Sequence, residues 1–62
     1  MEVTFRKQHW DLPGGMAARD LLKKLGLQPE SVLVVRNGKL VTDDTILRDE
    51  DVVKLVAVIS GG

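Results

Sequence analysis

Cysteine and tyrosine are missing from this 62-residue sequence, and phenylalanine, tryptophan and histidine occur once each. Without a thiol there is no disulfide framework, no thiolate metal site and no cysteine nucleophile, and redox usage says nothing about compartment. A cytoplasmic location is the default expectation. With His9 as the single histidine and no glycine-rich phosphate loop, the usual parts for nucleophilic or metal-assisted catalysis are absent. The chain is expected not to be an enzyme by itself. An excess of either charge is also lacking: nine Lys/Arg face nine Asp/Glu, which removes the attraction on which direct nucleic-acid binding rests. Apolar runs stop at five residues, where a membrane span needs about 20, and no secretory leader pattern opens the chain. The expectation is a soluble protein with no membrane partner.

What the chain does have is a Ser60-Gly61-Gly62 ending. At ordinary usage of about 7%, two glycines in the last two positions arise by chance in roughly one chain in two hundred. A Gly-Gly end lacks Cβ atoms and offers an uncrowded carboxylate that can enter a narrow site on another protein. Sixty-two residues allow one domain, expected over residues 1–59, with 60–62 as a functional tail reaching roughly 10 Å beyond it.

Val3-Thr4-Phe5-Arg6 and His9-Trp10-Asp11-Leu12 alternate apolar and polar as half-buried strands do. A connection at Lys7-Gln8, or a four-residue loop with the same pairing, sets Phe5 against Trp10, Thr4 against Asp11 and Val3 against Leu12. Pro13-Gly14-Gly15 marks a turn. Ala17, Ala18, Leu21, Leu22 and Leu25 then form one helical stripe, ended by Lys23, Lys24, Gly26 and Pro29. The helix start is weakly specified, with Gly15 or Ala17 where a capping hydroxyl or carboxylate serves better.

Residues 32–35 form a β-branched and leucine run, and Asn37-Gly38 before Leu40-Val41 is the strongest hairpin signal in the chain. The acid-rich segment 42–51 reads as a loop with one short helical turn whose Ile46 and Leu47 plug the core. Its acids, Asp43, Asp44, Asp49, Glu50 and Asp51, read as solvated charge and do not match a calcium loop. Residues 52–59 form the last strand, apolar in both phases. One helix covers one face of a sheet, so apolar surface remains on the other, and Val52, Val56, Val58 and Ile59 are candidates for partner docking. His9 has no evident partner, and Trp10 reads as core.

A chain of strand, strand, helix, strand, short strand, strand is α+β, a mixed four- to five-stranded sheet with one main helix on one face. Three segments sharpen this. They are Leu21-Leu22-Lys23-Lys24-Leu25-Gly26-Leu27, Val34-Val35-Arg36-Asn37-Gly38, and Asp51-Val52-Val53-Lys54-Leu55 continuing through Ala57-Val58-Ile59-Ser60-Gly61-Gly62. Together they make the whole chain resemble the ubiquitin-like, β-grasp sulfur carriers of the ThiS/MoaD family. Ala17 departs from the family's frequent helix-capping hydroxyl, which bears on helix-start stability alone.

The resemblance implies that an activating partner uses ATP to adenylate the Gly62 carboxylate, and that a sulfur donor such as a cysteine desulfurase or rhodanese displaces AMP. The product is a C-terminal thiocarboxylate that passes sulfur to a downstream enzyme in thiamine, molybdopterin, thiolated tRNA or related biosynthesis. Ser60, Gly61 and Gly62 would thread into the partner, and no cofactor would be bound permanently. The short chain favours a thiamine-type or tRNA-thiolation carrier over a molybdopterin-synthase subunit. A ubiquitin-like modifier joined to lysines, or a plain interaction module, are the alternative readings.

Overall fold

Period-two alternation at the start of the chain gives β1 (Glu2–Phe5) and β2 (Gln8–Asp11), paired antiparallel in a computed structural model that describes residues 1–58. Their register is Val3 against Trp10, Thr4 against His9 and Phe5 against Gln8, so the expected Phe5/Trp10 pairing is corrected by a shift of two residues. A two-residue shift keeps every side chain on its face, and apolar still meets apolar at Val3/Trp10. Face matching alone could not separate the two registers. The turn decides it: Arg6-Lys7 closes the hairpin, with Arg6 in the left-handed region at φ 57°.

After a two-residue strand β3 (Met16–Ala17), the helix α1 covers Ala18–Lys24. Ala17 is its N-cap and makes no side-chain capping bond. The first free amides are satisfied from across the fold, Ala18 N–H donating to the Thr45 carbonyl (2.9 Å) and Arg19 N–H to the Asp43 carbonyl (2.8 Å). The other end is closed as the sequence implies. Gly26 sits at φ 76°, its N–H donates to the Lys23 carbonyl (3.1 Å), and Leu27 N–H donates to the Leu22 carbonyl (2.8 Å), the two bonds of a Schellman motif.

A 3₁₀ turn (Pro29–Ser31) leads into β4 (Val32–Arg36), and Asn37-Gly38 turns the chain into β5 (Lys39–Val41). Asn37 and Gly38 have φ values of 51° and 83°, the positive pair that a tight two-residue hairpin needs and that Asn-Gly tolerates. The expected helical turn at Ile46-Leu47 is corrected: these residues form a short strand, β6 (Ile46–Leu47), antiparallel to β3. Leu47 is fully buried as expected, but strand geometry sends its neighbour to the opposite side, and Ile46 is exposed. The last strand, β7 (Val52–Ala57), lies between β1 and β4 in a five-stranded sheet of order β2-β1-β7-β4-β5, with β1 and β7 parallel. This is a mixed α+β sheet in the β-grasp, ubiquitin-like arrangement.

The core lies between α1 and one face of that sheet. Val3, Val53 and Leu55 from the central strands, Val32 and Val34 from β4, Leu21 and Leu22 from α1, and Leu47 are buried together, with Phe5 and Trp10 packed at the margin. Full burial of each such aliphatic side chain contributes about 1.5–3 kcal/mol. Two backbones pass very close at Gly14, where an added Cβ would overlap the Arg48 carbonyl carbon and the Asp49 amide nitrogen. There Gly14 N–H donates to the Asp49 carboxylate (2.6 Å).

The acid run is not uniformly solvated. Asp51 is buried and accepts from Arg48 N–H (2.9 Å) and from the Asn37 side-chain amide (3.0 Å), while the Asn37 carbonyl oxygen accepts from Val52 N–H (2.9 Å). Arg36 lies 3.9 Å from the same carboxylate. The hydrogen bond from the Arg48 amide, supported by Asn37 and by the charges of Arg36 and Arg48, outweighs burial and holds the Asp51 carboxyl below its ordinary 3.8. The Thr42 hydroxyl chiefly does the same for Asp44.

Two outcomes follow from this packing. Gly14→Ala should lower unfolding stability by about 1–3 kcal/mol in urea melts; an unchanged midpoint would show that the two backbones separate freely. Because the folded Asp51 carboxyl is more acidic than the unfolded one, its contribution is complete above pH 3.8 and is lost as pH falls through the lowered folded value. Asp51→Asn should therefore flatten the acid limb of the stability profile, leaving the part due to Asp44, and equal acid slopes in both proteins would contradict the assignment.

Candidate functional site

The last described strand is central, not an edge, so it is flanked on both sides. On one flank β1 runs parallel to β7, with Phe5 beside Leu55. On the other, β4 runs antiparallel, with Val32 beside Ala57, and beyond the strand Val58 N–H donates to the Ser31 carbonyl (2.8 Å). The expected tail residues Ser60, Gly61 and Gly62, and Ile59 of the docking set, lie outside the described residues.

Strand periodicity divides the rest of the docking set. Val53 and Leu55 point into the core, while Val52, Lys54 and Val56 point outward. Val56 is 40% exposed and Val58 42%, so both offer apolar surface at the root of the C-terminal segment. Val52, at 53%, shares their face but sits at the far end of β7, separated from Val56 by Lys54. The structure brings Val56 and Val58 together and leaves Val52 apart.

Two residues outside the expected set complete the apolar surface. Leu33, 44% exposed, lies directly opposite Val56 on β4, and Leu40, 64% exposed, lies opposite the half-buried Val35 on β5. Leu33 shares its outward phase with Val35, and because all of 32–35 is apolar the sequence did not mark which phase faces out. A concavity of about 420 Å³ opens beside them, lined among others by Pro29, Val32, Leu33, Leu40 and Val41. Towards β1 and β2 the same face turns polar, with His9 Nε2 3.1 Å from the Glu2 carboxylate and His9 Nδ1 3.3 Å from the Thr4 hydroxyl. His9 thus has partners, and they are surface ones.

Chemically, this arrangement supplies a fixed root and an apolar face next to it. Among the described residues no group of three or more His, Cys, Asp or Glu is placed to hold a metal ion, and no described helix is long and apolar enough to cross a membrane.

Comparison with known proteins agrees with this architecture. The model of the ThiS family matches residues 1–62. The chain is also 38% identical, over an alignment of 65 positions spanning all of both proteins, to a sulfur carrier protein TtuB from Thermus thermophilus. With every position inside the family match and the five-stranded sheet and single helix in place, the chain belongs to the ThiS family.

Proposed function

We propose that this protein is a sulfur carrier whose working group is the C-terminal carboxylate of Gly62, a co-substrate for partner enzymes and not itself a catalyst. The observation that carries the reading is the Ser60-Gly61-Gly62 sequence that follows the central strand β7 in the chain. The full-length similarity to a protein named as a sulfur carrier supports it.

A carboxylate is a poor acylating group, so it must first gain a better leaving group. An adenylating partner supplies one: a Gly62 carboxylate oxygen attacks the α-phosphorus of ATP, pyrophosphate leaves, and an acyl-adenylate forms. The outer sulfur of a persulfide on the donor then displaces AMP at the acyl carbon, which leaves an acyl disulfide to the donor's cysteine; a thiol reductant cleaves that S–S bond and releases the thiocarboxylate, which a downstream enzyme consumes. Thiamine, thiolated tRNA, molybdopterin or a related product receives the sulfur. Gly61 and Gly62 carry no Cβ, which suits a backbone that must lie beside a nucleotide inside another protein. Val56, Val58 and Leu33 form the apolar surface on which the activating partner seats.

Deleting Gly62 should leave the melting temperature unchanged and abolish ATP-dependent thiocarboxylation, read as the replacement of one oxygen by sulfur in the intact mass. Activity that survives the deletion would refute the proposal, and Gly62 found in amide linkage to lysines would favour the modifier. Separately, Val56→Lys should weaken the complex with the adenylating partner about tenfold while changing folding stability by less than about 1 kcal/mol. Comparable loss of both would make Val56 a packing residue.

A further inference from the structure

The two hairpins of this molecule solve the same problem with different residues. The β4–β5 turn uses Asn37-Gly38, the pair best suited to positive φ, whereas the β1–β2 turn uses Arg6-Lys7 and holds Arg6 at φ 57°. A bulky non-glycine residue in that region is unfavourable, so a long cationic side chain there calls for a reason. The Arg6 guanidinium lies over the Phe5 ring, 5.3 Å from its centroid, which restricts its rotamers. Among the described residues neither Arg6 nor Lys7 has an ion-pair partner. Phe5, Arg6, Lys7 and Gln8 line an open concavity at the turn.

Topology gives the turn its meaning. β1 and β7 are parallel and Phe5 is level with Leu55, so Arg6-Lys7 lies at the same end of the sheet as Val56, Ala57 and Val58. We propose that Arg6 and Lys7 form a cationic docking point for an acidic rim around the tail-entry channel of the adenylating partner. This rests on the carrier reading above.

Two alternatives are disfavoured by magnitudes. From Val58 the four remaining residues reach at most about 14 Å, so a nucleotide phosphate at the end of the extended tail lies beyond the roughly 8 Å screening length at physiological ionic strength. The hairpin charges act on the mouth of the channel, not on the reacting phosphate. Nucleic-acid sites gather many more cations, commonly contacting 6–10 phosphates, whereas this chain has zero formal net charge and two cations at the turn.

The test is steady-state ATP–pyrophosphate exchange by the source organism's own adenylating enzyme, with the carrier as the varied substrate. Arg6→Gln/Lys7→Gln should raise KM about 3- to 10-fold and Arg6→Glu/Lys7→Glu more than about tenfold, with kcat unchanged. In 1 M salt, where screening acts over about 3 Å, the differences should shrink below about twofold. Lys39→Glu, at the opposite end of the sheet, should leave KM within about twofold, and circular dichroism melts confirm that each variant folds. Exchange that still depends on Gly62 while the double-Glu variant keeps the wild-type KM would overturn the acidic-rim proposal alone; exchange independent of Gly62 would overturn the carrier reading beneath it. An unchanged KM with loss of purified-tRNA binding in the same variant would assign the turn to RNA and likewise overturn the proposal.

Discussion

The parallel pairing of the first strand with the last is the constraint on which the other features depend. Because Val3 and Val53 are level and both fully buried, the chain must enter and leave the domain through adjacent central strands. That requirement places helix α1 in the crossover, puts β4 on the free flank of β7, and assigns the two ends of the sheet different work. The start of β7 is locked by Asp51 and Asn37, whose side chains join the β4–β5 turn to residues 48–52. The finish of β7 gathers the β1–β2 turn, the 3₁₀ turn and the apolar pair Val56 and Val58.

Much of this was legible in the sequence because the signals were local. Asn37-Gly38 specifies its turn through backbone sterics, and Lys23, Lys24, Gly26 and Pro29 specify a helix end through the macrodipole and a left-handed cap. The existence of β7 followed from its β-branched run, but with both phases apolar the sequence did not say which faces outward, and the docking set drew Val52, Val56 and Val58 from one phase and Ile59 from the other. The β1–β2 register did not, because shifts of two residues are degenerate with respect to face, and the deciding feature is a left-handed arginine that propensity disfavours. Residues 42–51 were misread for a related reason. A run of acids looks solvated when each is taken singly, yet Asp51 is buried and accepts from the nearby Arg48 amide and from the side chain of Asn37 on the distant β4–β5 turn.

The helix start makes the same point from the other direction. Ala17 cannot cap with its side chain, so the sequence around it suggests a frayed end. The structure supplies carbonyls from residues 43 and 45 instead, and that solution needs the short β3–β6 pair to hold the loop in place. A missing local signal was compensated by a contact more than twenty residues away in sequence. Such compensation cannot be seen in a window of sequence, and it makes Leu47 and Gly14 more important than their composition implies.

Placing the last described strand at the centre of the sheet also bears on an energetic question. An edge strand would offer its terminal residues one ladder, and pulling on the end would peel it. β7 is paired with β1 as far as Leu55 and with β4 as far as Ala57, and Val58 is held to Ser31. A partner that seats the last residues therefore starts from a fixed root. The ordering cost of about 1–2 kcal/mol per residue therefore does not fall on the strand. The apolar face at Val56 and Leu33 lies beside that root, so binding there adds favourable burial without any rearrangement of the core. On the carrier reading proposed above, the division between a latched end and a presenting end would let so short a chain stay folded while its C-terminus is engaged by another protein.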